Sequence, residues 1–481
     1  MKIGALSIIF LILIGLVLGL LIIGLPVNIT LLTLTGISIF YLAFAYPVAV
    51  IAFLLFLGPF NILWIGIGIT PLEAIYGFTF LILIVSWLSR RIIAGIFSAE
   101  GGSASGGKGK TERLASPISV PLAVFFAMTI IACIIGVLKG HKFQHWGSDL
   151  NTIMYYGLCF IMLDLVKDKK MVYRLFSLTV IAMVLGLLKA MYDVARIAQI
   201  HHLGTQILSA QHITLTTTNL TGLAMFIISV ALSVTLAKGR KKSIFMLLSL
   251  FFGMMLLASF ARSLWVSAIF GLAVLFFISS GKQKLSFAKL VLVTIILFSL
   301  CLSIAASFPS HNPLAKFFYD VEERYKSFFT ARTEYTMISR DAEKQAAMKR
   351  AMIHPIFGNG LGTQITFFRY DQWFGKQTWY TTRYIHNVYM YLFLNMGLAG
   401  LLAFLWFCMS FVKYGLGLYR SLKDEMDRGL TLGITCAFLS LMVASLAGVV
   451  LIAPVVTIWF GFFAGALIII DRSRKAEETK V

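Results

Sequence analysis

Charged side chains are scarce in this sequence: Asp, Glu, Lys and Arg make up 13% of 481 residues, against 59% hydrophobic. A soluble domain cannot hide that much apolar surface, and repeated apolar runs of about 20 residues read as membrane helices. Acidic residues are the scarcer kind, 20 Asp and Glu against 41 Lys and Arg, for a net charge of +21. In a soluble protein that excess would suggest nucleic acid. Here basic cytoplasmic loops beside anionic headgroups account for it, so membrane lipids are expected partners and nucleic acid is not. Cysteine is sparse as well: Cys133, Cys159, Cys301, Cys408 and Cys436 all sit in apolar runs without ligand spacing, and read as packing residues. No Asp-x-Asp and no His/Cys cluster marks a metal, and no cofactor is expected. The segment Ser98–Ser116, GGSASGGKGK at its centre, lacks the pattern of a phosphate loop between strand and helix, and reads as a flexible cytoplasmic linker. The first apolar run, Ile3 to Ile23, has no small-residue cleavage site and leads into more apolar sequence, so it is expected to be a retained helix. No internal repeat of half the chain is visible, which weighs against an inverted-repeat transporter.

What is present is a series of apolar runs, at 3–24, 29–45, 47–60, 71–94, 118–138, 150–166, 171–194, 214–237, 243–259, 262–280, 286–308, 386–412, 429–448 and 452–470. The stretch 28–60 is either one bent helix or two split near Tyr46-Pro47. The run 243–280 has only Ser259-Phe260-Ala261-Arg262 as a break. The fold class is therefore all-α: a polytopic membrane protein of 12–14 transmembrane helices with one large extracytoplasmic segment containing short helices. Its parts are N-terminal helices (1–97), the linker (98–116), central helices (117–307), the extracytoplasmic segment (308–385), C-terminal helices (386–470) and a cytoplasmic tail (471–481). Basic short loops occur at Arg90–Arg113, Lys167–Arg174, Lys238–Lys242, Lys282–Lys284, Lys413–Arg428 and Arg472–Lys480. With fourteen spans all fall on one side with Lys2, and the positive-inside rule makes that side, and both termini, cytoplasmic. All 8 histidines then lie on the outer side or at its border, as loop residues disfavoured in lipid or as functional ones.

The outer segment carries an expected helix, Ile338–Ile353, with Ser339 as N-cap. His354-Pro355 ends it, and Gly358, Gly360 and Gly362 form either a plain turning loop or a cradle of N–H groups for phosphate. From Phe367 to Tyr384, aromatics including Trp379 and Tyr384 mix with hydrogen-bonding residues including Arg383. That mixture suits sugar rings and equally suits a membrane interface. The excess of cation in this segment favours an anionic substrate headgroup. Arg262 stands apart, at the outer junction of two apolar runs. An ionisable residue there is a functional candidate, the alternative being an arginine that snorkels to the interface. Lys189 and Asp193 are spaced to pair with each other beside Arg196, and Glu73 reads as an acid at a helix N-terminus behind Pro71.

Ser339-Arg340, then His354-Pro355-Ile356-Phe357-Gly358-Asn359-Gly360, then Ile385-His386-Asn387-Val388-Tyr389-Met390 with Asn395-Met396-Gly397, occur in that order. Together with Ala261-Arg262-Ser263, they resemble the O-antigen ligase and Wzy-type polymerase superfamily, over about residues 255–415; the first 240 residues agree only in being polytopic. The resemblance implies a metal-independent, inverting glycosyltransferase of GT-C-like architecture in the bacterial cytoplasmic membrane. Its donor would be a glycan on undecaprenyl diphosphate and its acceptor a glycan or lipid-glycan. Arg262 and Arg340 would bind the diphosphate, and His386 would serve the acceptor hydroxyl. Asn387 and Tyr384 border that histidine. The family often has Trp four positions after the arginine matched by Arg340; here it is Lys344, which leaves Arg332 or Arg350 as substitutes. A flippase or exporter of lipid-linked oligosaccharide is the alternative; it would spread charge along a central cavity and need no structured outer segment.

Overall fold

The computed structural model describes residues 38–60, 71–100, 116–201, 207–307, 335–371 and 376–479, with Tyr319, Val321, Glu322, Tyr325 and Lys326. The span expected at 3–24, most of the linker and Arg332 lie outside the described residues. The chain divides into two compact units: Met1–Phe53 with Gly77–Ser103, and Leu54–Tyr76 with Ala104–Val481. The smaller unit places the guanidinium of Arg90 over the ring of Phe44, 5.0 Å from its centroid. The residues singled out at 262 and at 340–387 belong to the larger unit.

Of the described residues 82% are helical, and a two-stranded hairpin is the one sheet among them, so the protein is an all-α polytopic membrane protein. In chain order the helices are α1 (Pro47–Leu57), α2 (Pro71–Glu100), α3 (Ser119–Leu138), α4 (Phe143–Met154), α5 (Leu158–Leu165), α6 (Lys169–His201), α7 (Ile207–Thr235), α8 (Arg240–Ala258), α9 (Arg262–Ile278) and α10 (Gly281–Ala306). After them come α11 (Tyr335–Ala351), the strands β1 (Ile365–Asp371) and β2 (Lys376–Thr382), and α12 (Val388–Ser421), α13 (Glu425–Ala444) and α14 (Pro454–Glu478). Among the described residues, 7 helices are long and apolar enough to cross a membrane, or up to 8 if each bent pair is one span. Two further apolar helices, Leu220–Thr235 and Arg262–Ile278, are shorter.

Several expected elements take a different form. The chain breaks at Tyr46, because the ring of Pro47 cannot continue a helix. The run 150–166 is not one helix: a tight turn, Tyr155–Gly157, separates α4 from α5. That turn packs on α14, where a Cβ at Gly461 would lie 2.7 Å from the Tyr155 carbonyl. Helix α11 starts at Tyr335, so Ser339 lies inside it and is not the N-cap. The stretch after it forms a hairpin, whose alternation of Thr, Phe, Trp and Tyr fits strand geometry.

Helix α14 is the centre of the larger unit: 94% of its apolar window is buried, against 28% of α8. Around it pack Phe404, Phe407 and Phe411 of α12 and Phe438 of α13, with Phe411 and Phe438 stacked at 4.3 Å and Phe438 5.0 Å from Phe460. At one end of this bundle Lys169 lies 3.3 Å from Asp427 and 3.0 Å from Glu477, and Tyr173 donates to Asp427. At the same end Glu425 accepts from the Ala237 N–H at 2.9 Å, and Tyr419 donates to Gln283 at 3.0 Å. These contacts gather the basic loops at 167–174, 238–242, 282–284 and 413–428 and the 472–480 tail on one side, as the charge pattern predicts.

Candidate functional site

The opposite end is organised by a glycine loop wedged into a broken helix. Helix α12 is interrupted at Gly397, which has φ +67°. The loop after α11 enters the gap: the Asn359 and Gly360 N–H groups donate to the carbonyls of Leu394 and Asn395, both at 2.9 Å. In return the N–H groups of Leu398 and Ala399 donate to Pro355 and Ile356. Gly358 has φ +78°, and a Cβ there would stand 2.5 Å from the Asn395 backbone. The remaining loop amides are used as well. Gly358 donates to His354, Leu361 to Ala132 of α3, Gly362 to the Asp149 carboxylate, and Thr363 to the Asn395 side chain. Every N–H from 358 to 363 is thus bonded within the protein. The turning-loop reading of the glycines fits this geometry; a phosphate cradle has no amide left to offer.

His386 lies two residues before α12. Its backbone N–H donates to Oε1 of Glu343 at 2.6 Å, and its Nδ1 lies 2.8 Å from Oε2 of the same carboxylate. The Glu343 side chain is 4% exposed and that of His386 36%, so a buried carboxylate grips one edge of a ring whose other edge is open. Nε2 has no hydrogen-bond partner among the described residues. Helix propensity puts Glu343 here: α11 is rich in Ala, Met and Lys, and Glu343, Ala347 and Ala351 form its buried stripe. Arg340 precedes Glu343 by one turn, on the same side of the helix. Tyr384 packs edge-on against His386 at 4.9 Å. Burial first, then the Glu343 carboxylate, push the Tyr384 hydroxyl up to about 12, with Arg340 opposing. The phenol therefore stays protonated through the neutral range, and it feels the opposing charges of Glu343 and Arg340.

Arg262 begins α9 after a strained turn. Phe260 has φ +52°, a left-handed conformation that costs a bulky residue on the order of 1–3 kcal/mol. The turn is locked by Ser259, whose Oγ donates to Leu256 at 2.6 Å and accepts from the Ala261 N–H at 3.3 Å, and by Trp265, whose indole donates to Leu256 at 3.0 Å. Helix α9 runs antiparallel to α13. Ser440 donates to the Ser267 carbonyl, and Gln283, beyond the far end of α9, reaches Thr235, which packs beside Gly429 near the start of α13. Arg262 and Ser445 each stand about 7 Å beyond the Ser267–Ser440 contact, by helix rise alone. Val388 donates to Ser445 at 3.0 Å and the Asn387 amide to Leu446 at 3.2 Å. The α9 N-terminus, and with it Arg262, therefore lies at the same end of the bundle as His386.

Other candidates hold the scaffold. Asn387 caps α12, accepting from the Met390 N–H at 2.9 Å while donating to Leu446. Arg383 ties the hairpin to α4, donating to the His145 carbonyl at 2.7 Å, to Ser148 at 3.2 Å and to Asp149 at 3.3 Å. Burial raises the Asp149 carboxyl to about 6, against the opposing pull of Arg383 and of the Gly362 amide. Arg350 sits in the last turn of α11, more than two turns from Arg340, where its carbonyl accepts from Asn359. Trp379 is 73% exposed on β2 and pairs with Phe368 of β1 at 5.2 Å. Lys344 faces solvent beside Asp341, at 3.9 Å. Lys189 and Asp193 pair at 2.6 Å, as their spacing predicts, while the side chains of Arg196 and Glu73 lie outside the described residues. The residue that sequence reasoning missed is Glu343. Its signal was its place one turn after Arg340, in a helix facing the histidine.

A family model described as O-antigen ligase matches residues 244–405, a range that holds Arg262, Arg340, Glu343, the glycine loop, the hairpin and His386. No curated protein matches the chain.

Proposed function

The chain belongs to the O-antigen ligase/Wzy superfamily, and from that membership we propose that it transfers a glycan from undecaprenyl diphosphate to an acceptor hydroxyl at the outer face of the bacterial cytoplasmic membrane. The acceptor is a growing glycan or a lipid-linked glycan, so the protein acts as a polymerase or as a ligase. The observation that carries this reading is the His386 imidazole, held on one edge by Glu343, one helical turn after Arg340, open on the other edge, and at the same bundle end as Arg262. Each part matches a demand of the reaction. The acceptor oxygen attacks the anomeric carbon, its proton passes to a base, and the bond to the lipid diphosphate breaks with the electron pair leaving on phosphate. A neutral imidazole, of ordinary pKa about 6.5, accepts that proton. Guanidinium groups match the developing phosphate charge with bidentate hydrogen bonds. Direct displacement inverts the anomeric centre and asks for no metal, since arginine supplies the positive charge. The position at a bundle end suits a donor whose diphosphate stays at the bilayer surface.

Deletion of the gene, followed by analysis of surface polysaccharide, tests the reading. Full-length chains left on undecaprenyl diphosphate identify a ligase, and single repeat units on it identify a polymerase. Repeat units trapped inside the cell would overturn the proposal in favour of a flippase.

A further inference from the structure

The carboxylate of Glu343 meets two different groups of one residue, and they differ in kind. The backbone N–H of His386 can only donate, and it occupies Oε1. Nδ1 either donates or accepts, according to the tautomer. An ionised carboxylate only accepts, so Oε2 at 2.8 Å requires a proton on Nδ1. The lone pair of the neutral ring then lies on Nε2, the edge without a partner among the described residues. We propose that Glu343 is the positioning residue of the site: it sets His386 in the Nδ1–H tautomer and presents a bare Nε2 to the acceptor hydroxyl. The proposal rests on the reading of His386 as the base.

The paired contacts give a substitution with an unusual consequence. Glutamine has the shape of glutamate but one acceptor oxygen and one donor NH₂. In Glu343→Gln the backbone N–H of His386 holds the amide oxygen, because it can bond to nothing else there. The NH₂ then faces Nδ1, which must accept, and the ring proton moves to Nε2. Both hydrogen bonds survive, and the base loses its lone pair on the working edge. A residue that merely braced the loop would tolerate this change.

The test uses the full-length protein in nanodiscs, with ring-¹⁵N histidine, read on the neutral ring at alkaline pH. The His386 signals are assigned by their loss in His386→Ala. The expected wild-type spectrum shows a protonated Nδ1 and an unprotonated Nε2, and Glu343→Gln exchanges them. In a deletion strain, Glu343→Gln at wild-type membrane level and thermal midpoint fails to restore surface polysaccharide, reflecting a loss of transfer rate on the order of 10³–10⁴-fold. Glu343→Asp keeps both acceptors and the wild-type tautomer, and restores part of the polysaccharide. A wild-type ring protonated on Nε2, or a Glu343→Gln protein that restores polysaccharide fully, would overturn the proposal. Full restoration by His386→Ala would instead overturn the assignment of the base, and with it the catalytic half of the proposal, while the spectrum still decides the tautomer.

Discussion

The glycine loop and the His386 cluster lie at one end of the bundle and were both marked by motifs in the sequence, yet their polar groups are disposed in opposite ways. In the loop every backbone N–H from 358 to 363 is bonded inside the protein, and Gly358 and Gly397 meet backbone to backbone. In the cluster Glu343 is buried and doubly bonded, while His386 is 36% exposed with Nε2 open. The first arrangement can only hold; the second can also react. Motifs that stand close together in the sequence therefore mark two different arrangements, and hydrogen-bond accounting separates them where spacing does not.

Substitutions in the two regions should separate along the same line. The largest effect is expected at the loop. Gly397→Ala places a Cβ 2.3 Å from the Ile356 carbonyl in a left-handed conformation, and Gly358→Ala meets Asn395 at 2.5 Å. Each should cost more than about 4 kcal/mol and abolish the monodisperse peak of detergent-solubilised protein in size exclusion. His386→Ala should leave that peak intact and lower transfer by about 10²–10⁴-fold, measured as surface polysaccharide against membrane level of the protein. A loss of folded protein in His386→Ala would break the comparison. Arg262→Lys and Arg340→Lys keep charge but lose the planar fork, and each should cost about 1.5–3 kcal/mol of transfer activity without change in yield.

The pH response sharpens the same contrast. Asp149, which accepts from the loop at Gly362, holds its proton up to about 6 in the folded chain, against an ordinary 3.8. Its folded pKa is raised, so the stability it contributes is fully present below 3.8 and is lost as pH rises through about 6. Thermal midpoints measured from pH 3.5 to 7 should carry a falling component, on the order of 3 kcal/mol, that Asp149→Asn removes. The smallest effect is expected at Asn387→Ala. Loss of the α12 cap should cost about 1 kcal/mol in thermal stability, with transfer reduced only as far as His386 shifts.

Most of the helices were legible because apolar run length and charged loops report directly on burial in lipid. The bundle end that collects Lys169, Glu425 and Gln283 agrees with the charge pattern, since like loops on one side need only an even number of crossings between them. The break in α12 was not legible: Gly397 is a tolerable residue in an apolar helix, and only the approach of Ile356 explains it. The hairpin was hidden because its aromatics, read by composition, fit an interface as well as a strand. In the site, Arg262 and His386 stood out by chemical type at the borders of apolar runs. Glu343 did not, because a glutamate in an Ala- and Lys-rich helix is ordinary until the fold buries it against His386. Arg383 and Asn387 had the right chemistry for substrate, and the structure occupies both with the scaffold.

The glycine loop also constrains the order in which the molecule is made. Leu361 bonds to Ala132, which lies about 9 Å short of the C-terminal end of α3 by helix rise, so the loop reaches below the level where that helix ends. Bare backbone at such a depth is tolerated only when its polar groups are paired within protein. Its partners at Leu394 and Asn395 leave the ribosome more than 30 residues after the loop itself, at roughly 5–20 residues per second. Until they arrive the loop must wait in water. The end of the bundle that holds His386 is therefore completed only after the first part of α12 has been made.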